Sequence, residues 1–475
     1  MNKESESIIL IDLPTFPKGV ISLSLLAVAG SLSKNYSVKI VDLNLSPPAE
    51  YNPSGGNVVM FGLKVSSQNF NQAISLSKKI RVANPNTKIV WGGELPTLLP
   101  DKCLEHADTI FGGLFEPVAD TFIEDLKSGN LKRKYFGENN AEQIFSKPDF
   151  SMLSAPEKYY RFMGYPLETS RGCTEKCIFC MVHTMQKRNY NLSNIEQLKS
   201  IIHQYKGKFI NVVDYNFGVV VPHVTAVSKV IKESGALGWM AEMCIELLDN
   251  DELLTALRDS RCKMIYCGLE SIDQQSLNSV HKMNTNHIEN YERIIRKVQS
   301  YGIQIAAGVI LGLEGTHKNT FEDLFNFYHR MGIIYAKLTF LTYNPGTKVH
   351  EYVRKKGSYI TEEIPAYDGN QLTYLPNDVD ADYVASGAKK FIQQYYSVIG
   401  IVSRSFNTEL NVWGRIEYIL FALSYRKVYL EWLKYDTLRK PENIQELIEK
   451  PFSKSVTTNL IEKILDWVRI KRMNN

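Results

Sequence analysis

Cys173, Cys177 and Cys180 stand as Cys-x3-Cys-x2-Cys in the run from Glu168 to Cys180. Thiolates spaced this tightly suit soft metals and iron–sulfur clusters, whereas hard oxygen-seeking ions call for Asp and Glu. A cubane cluster normally takes four thiolates, so three leave one iron without a protein ligand, and that iron becomes a chemical site as well as an electron store. A structural zinc is the plainer alternative; it needs a second half-site, and His183, three residues past the last Cys, could complete one. A disulfide framework fits poorly, because seven Cys in 475 residues are sparse and odd in number. Of the others, Cys103, Cys262 and Cys267 read as structural or incidental.

The elements around the triplet must position it. From Pro166 to about Tyr343 the pattern predicts strands over Leu167–Arg171, Phe209–Phe217, Trp239–Leu248, Lys263–Ser271, Ile303–Gly312 and Ala336–Tyr343, with helices between. Such β/α units imply a partial barrel whose site lies at the carboxyl ends of the strands, and the cysteine loop follows the first of them. Period two turns Asp214 and Asn216, then Glu242, Cys244 and Glu246, then Tyr266 and Glu270 toward the interior. No single catalytic residue stands out; the candidates are Cys244, Glu242 and Tyr266. Cys244 reads first as a small buried hydrophobe and second as a reactive thiol.

Upstream, Ile8–Leu13, Val38–Leu43, Val58–Gly62, Lys88–Gly92 and Thr109–Phe111 alternate with helical stretches. This predicts a doubly wound, flavodoxin-like parallel sheet. Ligands in such sheets sit beyond the carboxyl ends of the strands. Those ends carry Asp12 and Pro14; Asp42 and Asn44; Gly62, Lys64, Val65, Ser66 and Ser67; Gly92, Gly93 and Glu94; Gly112, Gly113 and Glu116. Ser46–Asn57 reads as a loop. From about Asp378 the chain is helical by pattern and rich in aromatics, as expected of a helical cap on the barrel. The end, Ile464–Arg472, is amphipathic and basic but too short to argue for membrane anchoring. The organisation expected is α/β throughout, with units at 1–145, 146–360 and 361–475.

A net charge of +4, spread through mixed Lys and Glu/Asp helices, argues against a nucleic-acid partner. No apolar run approaches the ~18–20 residues of a membrane span, and no basic-then-apolar leader is seen. The expectation is a cytoplasmic monomer with reduced thiols.

With Arg171-Gly172 before it and Phe179 just ahead of the last Cys, the triplet resembles that of the radical S-adenosylmethionine (SAM) superfamily, in which the open iron chelates the amino and carboxylate groups of SAM. Asp214-Tyr-Asn-Phe217 resembles the family's Asp-x-Asn-Phe run. Gly268-Leu-Glu-Ser271 resembles its Gly-Ile-Glu-Ser motif, which implies Glu270 and Ser271 near SAM. Gly308-Val-Ile-Leu-Gly312 is similar to the strand over which adenine packs, and Asn344-Pro-Gly-Thr347 to the turn after the last strand. Two positions depart: Cys244 stands where relatives usually show Arg, and Glu314-Gly-Thr-His317 where they show Pro-Gly-Glu-Thr.

The first part resembles the cobalamin-binding domain of one large subgroup, through Ile40–Asn44, Gly62 with Ser66 and Ser67, Trp91–Glu94 and Phe111–Pro117. A sheet that has kept its shape without a ligand is the plainer alternative. The Asp-x-His-x-x-Gly cobalt motif is absent and His106 is the only histidine there, so the resemblance implies cobalt bound without a His ligand, with Lys64 or Val65 facing the lower side of the corrin. Together these resemblances imply a [4Fe-4S] cluster, SAM and cobalamin as cofactors. They also imply an external electron donor of flavodoxin or ferredoxin type, and methyl transfer to an unactivated carbon of a small-molecule, natural-product-precursor or peptide substrate. A cobalamin-assisted rearrangement or cyclisation, and a redox- or corrin-sensing binding protein, are the alternatives.

Overall fold

The computed structural model describes residues 6–45, 51–54, 57–138, 145, 147–159, 163–186, 189–282, 285–355, 360–376, 379–434 and 456–473. Most of the expected Ser46–Asn57 loop and the Asp378 boundary lie outside them.

Apolar runs buried on both faces build the first sheet. Its strands are β1 (Ser7–Asp12), β2 (Ser37–Asp42), β3 (Val58–Lys64), β4 (Lys88–Gly92), β5 (Thr109–Gly113) and β6 (Lys134–Gly137), in the order β2-β1-β3-β4-β5-β6. All pairings are parallel, so both faces are covered. Ile8, Leu10, Met60 and Val90 face the main core, whereas Ile11, Phe61, Leu63 and Trp91 form a second cluster behind the sheet. β6 was not expected, because its four residues carry too short a pattern. It lies so close to β5 that a Cβ on Gly113, at φ +70°, would stand 2.2 Å from the Gly137 carbonyl.

The strands of the second sheet are β7 (Tyr165–Leu167), β10 (Phe209–Val212), β11 (Gly238–Glu242), β12 (Cys262–Glu270), β13 (Gln304–Leu311) and β14 (Tyr335–Phe340). Their order is β14-β13-β12-β11-β10-β7, again wholly parallel. β7 and β14 remain the two edges, the open arrangement expected of a partial barrel. The expected first strand splits. β7 joins the sheet, while β8 (Ser170–Arg171) pairs antiparallel with β9 (Asn191–Leu192), clamping both ends of the cysteine loop. At this clamp Gly172 has φ +93°, and a Cβ there would meet the Asn189 carbonyl at 1.6 Å; no other residue type fits.

Two expected strands end at least five residues earlier than the pattern suggested. β10 stops at Val212 and β11 at Glu242, each followed by a 3-10 turn, Phe217–Val219 and Ile245–Leu248. Asn216 holds the second turn through its Oδ1, which accepts from the Cys244 N–H at 3.0 Å.

The carboxyl-terminal helices Ala381–Tyr395, Val398–Ser405, Val412–Lys434 and Val456–Met473 do not cap the mouth of the barrel. The first three floor its amino-terminal end and its β14 edge. Phe421 packs on Phe209, the first residue of β10, and Glu417 pairs with Lys263 near the start of β12 at 3.5 Å. The Tyr396 hydroxyl donates to the Ala336 carbonyl and accepts from its N–H, satisfying the edge of β14. No helix among the described residues is long and apolar enough to cross a membrane.

Candidate functional site

The cysteine loop is fastened from below. Asp214, just past β10, accepts from the Thr169 N–H (2.7 Å), the Thr169 hydroxyl (2.6 Å) and the Ser170 hydroxyl (2.7 Å). Its carboxylate is consumed in holding β8, so the expected cofactor-binding role gives way to a positioning one. Asn216 keeps a buried side-chain N–H2 without a partner among the described residues.

Cys173, Cys177 and Cys180 sit in one another's electrostatic field, and burial pushes all three thiols up, Cys177 to about 12; the Lys282 ammonium pulls each back. Among the described residues no three His, Cys, Asp or Glu side chains converge at single-ion spacing. A tetrahedral zinc would hold sulfurs about 3.8 Å apart, whereas a cubane spreads its thiolates over separate irons. The His183 side chain lies outside the described residues.

Inward-facing residues of the barrel then line one cavity of about 640 Å³: Glu242, Tyr266, Gly268, Glu270, Ile310, Lys337 and Thr339, with Phe179 and Cys180 from the cysteine loop. The loops of the first sheet supply its other wall, with Thr15, Ser66, Ser67, Gln68 and Glu94, and the segment Tyr367–Gly369 closes it. Gln68 Nε2 donates to Asp368 at 2.9 Å across that closure. Tyr266 fits only because Gly308 lacks a side chain: a Cβ there would lie 2.2 Å from the phenolic oxygen.

Surrounding protein raises the Glu242 pKa to about 7; Lys337 opposes this, Glu270 adds to it and Lys282 opposes it. Glu270, also raised by burial, lies 3.6 Å from the Lys282 ammonium. Cys244 lies near Cys173, Cys177 and Lys282, its thiol pushed up to about 12 by burial.

Three expected residues fall elsewhere. Glu246 does not wall the cavity; once β11 ends at Glu242 it turns to accept from the His287 N–H (3.0 Å), beside His287 Nδ1 (3.3 Å). Ser271 and Gly312 line a neighbouring cavity of about 110 Å³, and Ser271 Oγ accepts from the Asp273 N–H at 3.0 Å.

Beneath the first sheet's loops lies a second cavity, of about 390 Å³ and mostly apolar. Gly62, Lys64, Gly92, Gly93, Gly113 and Glu116 line it with Leu10, Met60 and Phe111, and Glu168, Ser170 and Arg171 enter from the barrel side. Tyr215 borders both cavities. Lys64 reaches this space while pairing with Asp12 at 3.3 Å. Burial raises Asp12 to about 6 against the pull of Lys64.

Asp12, Pro14, Asp42, Asn44, Val65, Gly112, Asp214 and Asn216 line neither cavity. Asp42 accepts from the Tyr159 hydroxyl (2.7 Å) and from Asn44 (2.8 Å), and Asn44 in turn accepts from the Thr15 N–H (3.0 Å), so this pair shapes the loop after β1. Val65 is wholly buried behind the sheet, because strand alternation past β3 sends it opposite to Lys64. The Ser66 and Ser67 hydroxyls are buried at the wall of the larger cavity without partners among the described residues. His106 packs its ring 6.0 Å from Phe70 and 5.8 Å from Trp91, away from both cavities.

Sequence reasoning missed Lys282, Lys337, Arg171 and Asp368. Lys337 was within reach: Tyr335, Lys337 and Thr339 alternate on β14 by the rule that found Tyr266 and Glu270. Lys282 lies in a loop where no periodicity marks it.

Residues 167–328 match the model of the Radical SAM superfamily. Over 402 residues the chain is 22% identical to the bacteriochlorophyllide d C-12(1)-methyltransferase of Chlorobaculum tepidum, covering 82% of this chain and 86% of that one. The cobalamin-dependent S-adenosylmethionine radical enzyme OxsB, solved with aqua-cobalamin and S-adenosylmethionine bound, shares the fold with a TM-score of 0.64 at 15% identity, over 99% of this chain and 80% of its own. The radical S-adenosylmethionine methyltransferase TsrM from Kitasatospora setae, solved with tryptophan and a SAM analogue, does so with a TM-score of 0.61 at 12% identity, over 90% of this chain and 99% of its own. The chain thus carries a radical SAM domain over residues 167–328, the segment that holds the cysteine loop, within a fold shared with OxsB along nearly its whole length.

Proposed function

We propose that this chain is a cobalamin-dependent radical SAM methyltransferase that acts on an unactivated carbon of a small substrate. One observation carries the reading: Cys180, Glu242, Tyr266 and Glu270 at the carboxyl ends of the barrel strands face Ser66, Ser67 and Glu94 of the first sheet across a single cavity. The names of the relatives add methyl transfer to carbon and cobalamin as the chemistry such a pairing performs elsewhere.

The donor sets fit three cofactors. Cys173, Cys177 and Cys180 would hold a [4Fe-4S] cluster, with Lys282 offsetting part of the thiolate charge. Glu270, on the cavity wall, would hold SAM, whose ammonium makes a charge-assisted bond with a carboxylate. The apolar, glycine-lined cavity with Lys64 at its rim, and the unpartnered Ser66 and Ser67 hydroxyls, would hold cobalamin without a histidine ligand. When bound, these groups supply respectively an electron, a radical able to remove hydrogen from an inert C–H bond, and a transferable methyl group.

The chain's own residues do the rest. Glu242, with its pKa near neutrality, holds or releases a proton at its carboxyl group on the substrate side. Gly308 lets Tyr266 lie across the floor, and the Gln68–Asp368 contact keeps the two walls together.

The test is anaerobic reconstitution with iron, sulfide and cobalamin, then SAM, reductant and candidate substrates, following 5′-deoxyadenosine, S-adenosylhomocysteine and product mass together. Both nucleosides, with a product heavier by one methylene, are expected. 5′-Deoxyadenosine alone with a product of unchanged mass would move the reading to rearrangement, and failure to take up cobalamin would overturn it.

A further inference from the structure

Lys282 is a buried lysine on a segment that packs against the cysteine loop: the Ile178 N–H donates to the Val280 carbonyl at 3.5 Å, and Val280 shares an apolar cluster with Ile178 and Phe179. Its residue is 6% exposed, and its side chain pairs with Glu270, 13% exposed, at 3.6 Å. A buried lysine that keeps its charge needs compensation, yet Glu270 is only one of the groups near it. The thiols of Cys177 and Cys244 act on the same ammonium, and the Lys282 charge is felt at Cys173 and Cys180 as well.

The backbone is arranged to put the pair there. Glu270 has φ +62° and His281, just before Lys282, has φ +56°, a conformation side-chain-bearing residues rarely adopt. Both turns are held by one clamp: Asn286 Nδ2 donates to the Gly268 carbonyl (2.9 Å) and the Leu269 carbonyl (3.0 Å), while the Asn286 N–H returns to the Lys282 carbonyl (3.0 Å). Local strain kept by specific hydrogen bonds marks a position the fold is built to present.

We propose that Lys282 sets the redox poise of the cysteine-loop cluster: its fixed ammonium, on the segment packed against that loop, favours the reduced cluster, and Glu270 moderates that effect. The inference rests on the cluster reading above. The electron comes from an external one-electron donor, dithionite in the experiment below, which is oxidised as the cluster gains one negative charge. A fixed positive charge in a low-dielectric site stabilises the added electron, and a fixed negative charge opposes it. Lys282 and Glu270 must therefore move the midpoint potential in opposite directions, a pattern that loss of packing does not produce.

The experiment is an anaerobic potentiometric titration of the reconstituted full chain, without SAM, followed by electron paramagnetic resonance and normalised to iron and sulfide content. Lys282→Gln should shift the midpoint to more negative potential, Glu270→Gln to more positive, and the double variant should return toward the unaltered chain. Equal potentials for Lys282→Gln and the unaltered chain, or shifts of the same sign in the two single variants, would overturn the proposal while leaving the cluster reading intact. If Lys282→Gln takes up no iron, Lys282→Arg decides: an unaltered potential supports the charge role, and a shifted one overturns it. An unaltered chain that takes up no iron–sulfur cluster overturns both readings at once.

Discussion

Arg171, the last residue of β8, reaches Glu116 in the loop after β5 at 2.6 Å, with only 3% of its side chain exposed. Glu168 holds the same guanidinium at 2.7 Å, and the Phe145 ring lies 4.6 Å from it. One residue thus ties the strand that carries the cysteine loop to the sheet that faces it. Removing the cation leaves two carboxylates, partly or largely buried, facing each other, whereas removing Glu116 leaves Glu168 in place. Arg171→Met should therefore destabilise the chain by about 3–5 kcal/mol and Glu116→Gln by about 1–3 kcal/mol, measured by denaturant unfolding. Equal effects would mean that the pairing carries no energetic weight between the two sheets.

Gly308→Ala should push Tyr266 out of its place, because the new methyl would stand 2.2 Å from the phenolic oxygen and 3.1 Å from Cζ. Overpacking of this kind costs about 1–3 kcal/mol. Since the oxygen is the nearest atom, Gly308→Ala combined with Tyr266→Phe should recover most of the lost stability. A double variant no more stable than Gly308→Ala alone would place the strain elsewhere on β13.

The cysteine loop, both parallel sheets and the inward turn of Tyr266 and Glu270 were legible in the sequence, because thiol spacing and strand alternation are local properties. What failed was set by contacts distant along the chain. β10 and β11 end early because Asp214 is spent on Thr169 and Ser170, and because Asn216 captures the Cys244 N–H. With β11 cut at Glu242, alternation no longer places Glu246, which turns to His287 instead. The aromatic helices read as a cap, but their tyrosines are matched to the Ile333 and Ala336 backbone at the opposite end of the barrel. Arg171 was visible only as a neighbour of the triplet, since its partner Glu116 lies 55 residues away.

Glu94 makes the stability of the cofactor-free chain fall as pH rises. Burial raises its pKa from 4.5 to about 7, Asp368 adds to the shift and Lys64 opposes it. Below about pH 4.5 the carboxyl is neutral both folded and unfolded and nothing is lost. As pH rises to about 7 the unfolded chain releases its proton first, so unfolding gains by at most about 3 kcal/mol. Thermal melts of Glu94→Gln between pH 5 and 7.5 should accordingly be flatter than those of the unaltered chain. A steeper slope in the variant would show that this carboxyl is ionised throughout.

Cys244 shares the neighbourhood of the triplet, and the comparison of two alanine variants separates them. Cys244 lies beyond the end of β11, its N–H is taken by Asn216, and its thiol shares the field of Lys282 with Cys177. Cys177 sits inside the loop that β8 and β9 clamp and is 8% exposed, so on the proposed cluster removing its sulfur takes away a ligand. Cys177→Ala should lose the iron and sulfide of the reconstituted chain. Cys244→Ala should retain both, with an unaltered resonance spectrum, because three thiolates already satisfy three irons and the fourth iron is the one that must stay open for SAM. If Cys244→Ala also loses iron, or converts the spectrum to that of a cluster with a missing iron, Cys244 is a fourth ligand and the open iron assigned to this loop does not exist.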